Sequence, residues 1–167
     1  MSELGRVRGA APGATLLLVG GIHGNEPAGV GVCERLLERL RETPPAAGEV
    51  VAFAGNPPAL AAGRRYLERD LNRQWTPRGF EIARGSEDPE AKAFLGLAAG
   101  IDEAIQRARG PVFALDLHTT SADGVPFSLV GPTTAERAFA TQLALVGVAG
   151  ISDRIPGTLA EDLATSR

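Results

Sequence analysis

Apolar runs separated by glycine-rich turns and amphipathic stretches alternate along this 167-residue chain. Residues 14–19 (Ala-Thr-Leu-Leu-Leu-Val) form an apolar run with the length and composition of a buried strand. From 30 to 40 the apolar positions recur at helical spacing. A proline- and glycine-containing cluster at 42–48 ends that helix. Residues 49–54 read as a second short strand, and Gly55-Asn56-Pro57-Pro58 follows. The prolines there can open a helix, because the donors they lack have no partner in a first turn anyway. Residues 64–75 are polar and arginine-dense, with no period of 3.6 or 2, and are expected to be a loop that stays irregular to Ser86. Loops of this length inside a compact domain are usually functional or mobile. Residues 87–109 form a long amphipathic helix with Phe94, Leu97, Ile101 and Ile105 on one side, stopped by Gly110-Pro111. A third strand spans 112–117 and a fourth 126–130, with a tight reversal at Asp123-Gly124. Thr133 and Glu136 are spaced as a capping box for a helix running to about Val148. Residues 151–155 are expected to be a short strand, Thr158 and Glu161 offer a second capping box, and the first dozen residues read as a lead-in. Strand–helix–strand alternation of this kind predicts an α/β class.

Length and composition narrow the function classes. A chain of 167 residues predicts one domain, 1–167, with a sizeable core. A formal charge of −3, a pI near 5.4 and the lack of a long basic run argue against nucleic acid as a partner. Lys92 is the one lysine among the basic residues, a pattern without a single physical cause. Cys33 is the sole cysteine, which excludes an intramolecular disulfide and reads as a thiol packed in a helix. Neither a leader nor an apolar run of about 20 residues is present, so no membrane partner and a cytoplasmic location are expected. Oligomeric state is not readable from one sequence.

The candidate chemistry centres on Gly20-Gly21-Ile22-His23-Gly24-Asn25-Glu26, between the first strand and the first helix. Open α/β sheets place ligand sites at the carboxyl ends of their strands. The second of the chain's two histidines, His118, also follows a strand. Two parallel strand ends lie on one rim, so His23, Glu26 and His118 can supply two nitrogens and an oxygen to one ion, with a position left for water. Two unrelated loop histidines are the alternative. Asp116 shares a strand face with His118 and is expected to accept the second ring N–H of a ligand histidine, preferably His23; otherwise it is a carboxylate in water. Arg65, Asn72 and Arg73 can stabilise an oxyanion or grip a substrate carboxylate, although an arginine-rich loop can equally be a solvated surface.

Three blocks, in order, carry a family resemblance: Gly21-Ile22-His23-Gly24-Asn25-Glu26; Asn56-Pro57 through Arg65-Tyr66 to Asp70-Leu71-Asn72-Arg73; and Asp116-Leu117-His118. Together they resemble the succinylglutamate desuccinylase/aspartoacylase branch of the zinc carboxypeptidase-like (M14) enzymes. The resemblance implies a carboxypeptidase-like α/β fold with a mixed, mostly parallel sheet flanked by helices. One Zn2+ per chain would be held by His23, Glu26 and His118. By the same likeness Arg65 polarises the scissile carbonyl, Asn72 and Arg73 hold the substrate α-carboxylate, and Asp70 orients the loop. Ala164-Thr165-Ser166-Arg167 resembles a segment whose arginine contacts an acidic substrate side chain, although Leu163 stands where those enzymes carry an aromatic residue. The family's general base, a glutamate in a Glu-x-Gly setting, is expected some ten residues past Arg167. Glu161, in a capping pattern, is a poor substitute. The implied activity is hydrolysis of the amide of a small N-acyl amino acid, with zinc activating the attacking water, and the chain is expected to be the amino-terminal portion of the catalytic domain. A carboxypeptidase, a non-catalytic zinc-binding module and, more remotely, a nucleotide-binding module are the alternatives; the last lacks G-x-G-x-x-G.

Overall fold

The computed structural model describes residues 2–151 and 154–165. The four-stranded sheet is built from β1 (Glu3–Arg8), β2 (Ala11–Gly20), β3 (Ala47–Ala54) and β4 (Val112–Leu117), in the order β1-β3-β2-β4. β2 pairs in parallel with both β3 and β4, and β1 runs antiparallel to β3 on the outer edge. This is the mixed, mostly parallel α/β architecture. Alternation along β2 and β3 divides the core. Leu17, Val19, Val51 and Phe53 face Phe94, Leu97 and Ile101 of α4 (Pro89–Arg107). Leu18 and Ala52 face Cys33 and Leu37 of α1 (Ala28–Glu42) on the other side. Burying a large apolar side chain is worth roughly 1.5–3 kcal/mol, so both faces are closed strongly. Cys33 is fully buried, and that burial pushes its thiol up to about 11.

Several elements depart from expectation. The first dozen residues contain β1, an edge strand with a register shift at Gly5, its Arg6 paired with Glu3 and its Arg8 with Glu49. Its apolar content is only Leu4 and Val7, too little to show periodicity. Between 76 and 86, α3 (Pro77–Arg84) begins where Thr76 Oγ1 accepts from Gly79 N at 3.0 Å, with proline in its first turn. Its Phe80 joins Trp75 and Phe94 in an aromatic cluster, with ring centroids 4.7–6.0 Å apart. The helix expected from 133 to 148 is α5 (Thr134–Thr141), correctly boxed by Thr133 and Glu136 but shorter. Ala144, at a φ of 53°, turns the chain, and the β-branched Val146 and Val148 then go into β6 (Val146–Ala149). β6 pairs in parallel with β5 (Phe127–Val130) as a separate two-stranded sheet. The strand expected at 151–155 falls partly on residues outside the described set; Arg154 and Ile155 are not in a strand. α6 (Leu159–Thr165) completes the described elements, and no helix among the described residues is long and apolar enough to cross a membrane.

The glycines after β2 serve close packing. α2 (Pro57–Ala62) runs directly against Gly24, and a Cβ there would overlap the carbonyl carbon and oxygen of Ala59. A Gly24→Ala substitution is therefore expected to destabilise the protein by about 1–3 kcal/mol through overpacking, measured as a lowered midpoint in denaturant unfolding. Gly63→Ala, at the α2 cap where nothing lies within 4 Å, adds only the strain of its φ of +60° and should cost less.

Candidate metal centre

Parallel register places the site. Gly20, the last residue of β2, pairs with Leu117, the last residue of β4, so the residues that follow both strands leave the sheet side by side. Gly21, at a φ of 70°, turns the backbone. The end of β3 secures that turn, since Gly55 N donates to Gly20 O at 2.8 Å and Asn56 N to Gly21 O at 3.0 Å. His23 and Glu26 are buried, while His118 lies at the opening. The two imidazoles stand 5.0 Å apart, centroid to centroid.

Glu26 lies between them. Its Oε1 is 3.0 Å from His23 Nδ1 and its Oε2 is 3.0 Å from His118 Nδ1, with the Thr119 N–H donating to Oε2 at 2.8 Å. The outer nitrogens also face carboxylates. His23 Nε2 is 3.0 Å from Asp70 Oδ1, and His118 Nε2 is 2.9 Å from Asp116 Oδ2. A neutral imidazole donates from one nitrogen only. Four imidazole–carboxylate contacts therefore require either two imidazolium rings or a cation in place of the inner protons. With both Nε2–H groups held by aspartates, the two Nδ1 lone pairs and Glu26 point inward. Such a donor set suits a four-coordinate ion with one open position, and the three ligand atoms lie within 4.8 Å of one another. The residues present fit a divalent metal.

Asp116 pairs with His118 on its own strand, not with His23 as expected. Two residues apart on one strand face they are immediate neighbours, whereas the partner of His23 is Asp70, delivered from the arginine-rich loop. Nothing local in the sequence marks that 47-residue connection. Asp70 goes beyond orienting its loop, because its Oδ2 also accepts from Arg65 Nη2 at 3.0 Å. Arg65 is half-exposed, with Nη1 3.8 Å from Glu26 Oε1, so a guanidinium borders the opening. Arg73 is exposed and donates to the Asn72 carbonyl at 2.5 Å.

Asn72 stands differently from its expected place on a substrate carboxylate. It is buried, its Nδ2 lies 3.2 Å from Asp116 Oδ2 and its Oδ1 accepts from Leu159 N at 2.9 Å. With His118 Nε2–H and Asn72 Nδ2–H both directed at Asp116, the amide locks the aspartate and fastens α6 beneath the site. Leu159, fully buried, is a supporting residue that sequence reasoning missed; its capping-box neighbourhood was the available signal. Glu161 is engaged there as well, with its Oε2 accepting from Gly157 N at 2.6 Å and its N–H capped by Thr158 Oγ1 at 3.2 Å. Arg167 lies outside the described residues.

Protonation follows from these contacts. Burial alone would lower His118, but Asp116 and Glu26 outweigh it and hold the ring up at about 9. Glu26 is buried and Asp70 partly so, which raises a carboxyl, yet Thr119 N–H and His118 hold Glu26 below its usual range. His23 and Arg65 do the same for Asp70. Raised His118 stabilises the metal-free fold fully below its ordinary 6.5, and that contribution disappears as pH rises through about 9. The lowered carboxylates stabilise above their ordinary 3.8–4.5 and lose that contribution as pH falls below it. Thermal melts of chelator-treated protein should therefore show an alkaline decline between about pH 6.5 and 9 that His118→Asn flattens. Affinity of this donor set for an added divalent ion should rise across the same window, because an imidazole must be neutral to ligate.

Residues 12–160 match the model of the succinylglutamate desuccinylase/aspartoacylase catalytic domain. The succinylglutamate desuccinylase of Burkholderia mallei is 33% identical over 141 residues, which cover 83% of this chain and 40% of that protein. The Pseudomonas paraeruginosa succinylglutamate desuccinylase is 39% identical over 109 residues, 64% of this chain and 31% of that protein. Among solved structures, the Chromobacterium violaceum succinylglutamate desuccinylase gives a TM-score of 0.54 at 30% identity, covering 67% of this chain and 35% of that one. The succinylglutamate desuccinylase/aspartoacylase of Rhodobacter sphaeroides gives 0.51 at 25% identity, covering 89% and 44%. The chain spans at most 40% of the length of these curated relatives. With its fold, its paired histidines and glutamate, and a match over nearly its whole length, the chain belongs to the succinylglutamate desuccinylase/aspartoacylase catalytic-domain family.

Proposed function

We propose that this chain carries the zinc-binding portion of a hydrolase that cleaves the amide bond of a small N-acyl amino acid. The observation that supports it most is the convergence of His23 Nδ1, His118 Nδ1 and Glu26, with each outer nitrogen held by an aspartate and Arg65 at the opening. When bound, zinc supplies Lewis acidity toward the amide carbonyl and toward water.

The chain's own residues supply the remainder. Asp70 and Asp116 fix the tautomers that leave both Nδ1 atoms free to ligate. Arg65, positioned by Asp70, faces the negative charge that develops on the carbonyl oxygen, and a guanidinium prearranged in this way is strongly stabilising. Arg73 presents a planar donor fork suited to the α-carboxylate of the amino acid. Asn72 sits behind Asp116 and shapes the site through it; a direct grip on substrate would require it to release Asp116 or Leu159. Because Glu161 is tied to the Gly157 amide, we assign proton transfer to a base in the part of the family's length that this chain does not span.

Titration of metal-free protein should show one zinc per chain, with His23→Ala abolishing it and Asp70→Asn weakening it about 10–100-fold. Hydrolysis of N-succinylglutamate, N-acetylaspartate and a peptide, measured for this chain and for any natural extension of it, tests the activity. In the active form Arg65→Ala should lower kcat by about 10²–10³, while Arg73→Lys should chiefly raise KM. Faster cleavage of the peptide identifies a carboxypeptidase instead. Tight zinc binding without turnover identifies a metal-binding module.

A further inference from the structure

Glu90 lies outside the metal site, in the first turn of α4, and is 1% exposed. No cation faces it among the described contacts. Its carboxylate accepts four hydrogen bonds from uncharged donors: Asn56 Nδ2 at 2.7 Å and Leu67 N at 3.0 Å on Oε1, and Glu68 N at 2.8 Å and Arg69 N at 2.9 Å on Oε2. Three consecutive backbone amides are thus satisfied by one side chain. Backbone amides normally find partners in secondary structure, and residues 64–70, exposed to half-buried, lie in no helix or strand.

We infer that Glu90 is a positioning residue, holding the arginine-rich loop so that Asp70 and Arg65 meet the metal centre. Its arrangement is directional. Arg69, whose amide Glu90 holds, is followed directly by Asp70, which reaches His23 Nε2 and Arg65 Nη2. At the other end of the segment, Gly24 N donates to Arg65 O at 3.1 Å. Between those two ties, Glu90 is the anchor for residues 67–69. Asn56 completes the connection. Its Oδ1 caps α2 through Ala59 N at 3.3 Å, its N–H binds Gly21 O at 3.0 Å, and its amide nitrogen reaches Glu90. One carboxylate therefore registers the turn that carries His23 against the loop that carries Asp70 and Arg65. Glutamine can fill the same volume, but it replaces one acceptor oxygen with an NH2 that opposes a backbone donor.

The inference rests on the proposed hydrolase reading for Arg65, but part of its test does not. Hydrogen exchange on this chain should show slow amides at 67–69 in the wild type and at least tenfold faster exchange there in Glu90→Gln, with the amides of β2 and β3 unchanged. Unchanged protection at 67–69, or equal acceleration throughout the sheet, overturns the inference whether or not the chain is active. Where hydrolysis is measurable, Glu90→Gln should lower kcat/KM at least tenfold in fully metal-loaded protein. In a background carrying both Arg65→Ala and Asp70→Asn it should add less than about twofold, because its effect passes through those two residues. A multiplicative loss in that background also overturns it. If Glu90→Gln fails to fold, Asn56→Ser and Glu90→Asp, which shorten the same contact, supply the exchange measurement with the same two outcomes.

Discussion

Two imidazoles among three carboxylates are the constraint around which this structure is organised. Glu26 separates the rings, and Asp70 and Asp116 close them from outside, so the cluster is electrostatically coherent only with positive charge at its centre. Protons on both rings or a divalent ion meet that need. Partial burial makes the requirement stronger, because a carboxylate removed from water without a partner costs several kcal/mol. The sheet provides the rim, the loop provides Asp70 and Arg65, and α6 braces Asn72 from below.

The loop is the unusual part. It carries the groups with most of the inferred substrate chemistry, yet it contains no helix or strand beyond a single 3-10 turn at Leu71–Arg73. Its order comes from side chains. Glu90 takes its amides, Asp70 caps the 3-10 turn by accepting from Asn72 N at 3.0 Å, and Asn72 is held by Leu159. Polar groups removed from water carry their cost unless every donor and acceptor is matched. The contacts that tie this loop favour the arrangement seen, which is suitable for holding a guanidinium at a fixed place.

Legibility in the sequence followed the physical range of each signal. The strands at 14–19 and 49–54 were visible because burial on both faces leaves an apolar run; 112–117 was visible by its apolar composition alone, since β4 is only partly buried. The long helix was visible because its buried stripe repeats every three to four residues. β1 was hidden, since an edge strand with one face to water and a glycine-induced register shift carries few apolar residues. α3 was hidden by its shortness, although Thr76-Pro77 was a start signal. The helix expected to reach 148 ended early because Ala144 turns the chain into β6. At the site, His23, Glu26 and His118 were visible as candidates because all follow strand ends, and the departure of Asp116 and Asn72 from their expected partners was not.

The division has a simple cause. Patterns of apolar spacing, caps and strand-end histidines act over a few residues, so the chain's class, the family blocks and the identity of the candidate ligands are written locally. Two carboxylate–ring contacts, His23 with Glu26 and His118 with Asp116, are local, but the others and the amide behind them join residues 44 to 92 apart: Asp70 with His23, His118 with Glu26, Asn72 with Asp116. Those pairings are selected by strand register and by where the loop is tied, and each requires the sheet to exist first. Glu90 shows the same rule. As a sequence letter it is an acidic residue at a helix start, favourable there to the helix dipole; only the folded chain turns its carboxylate onto three amides more than twenty residues away.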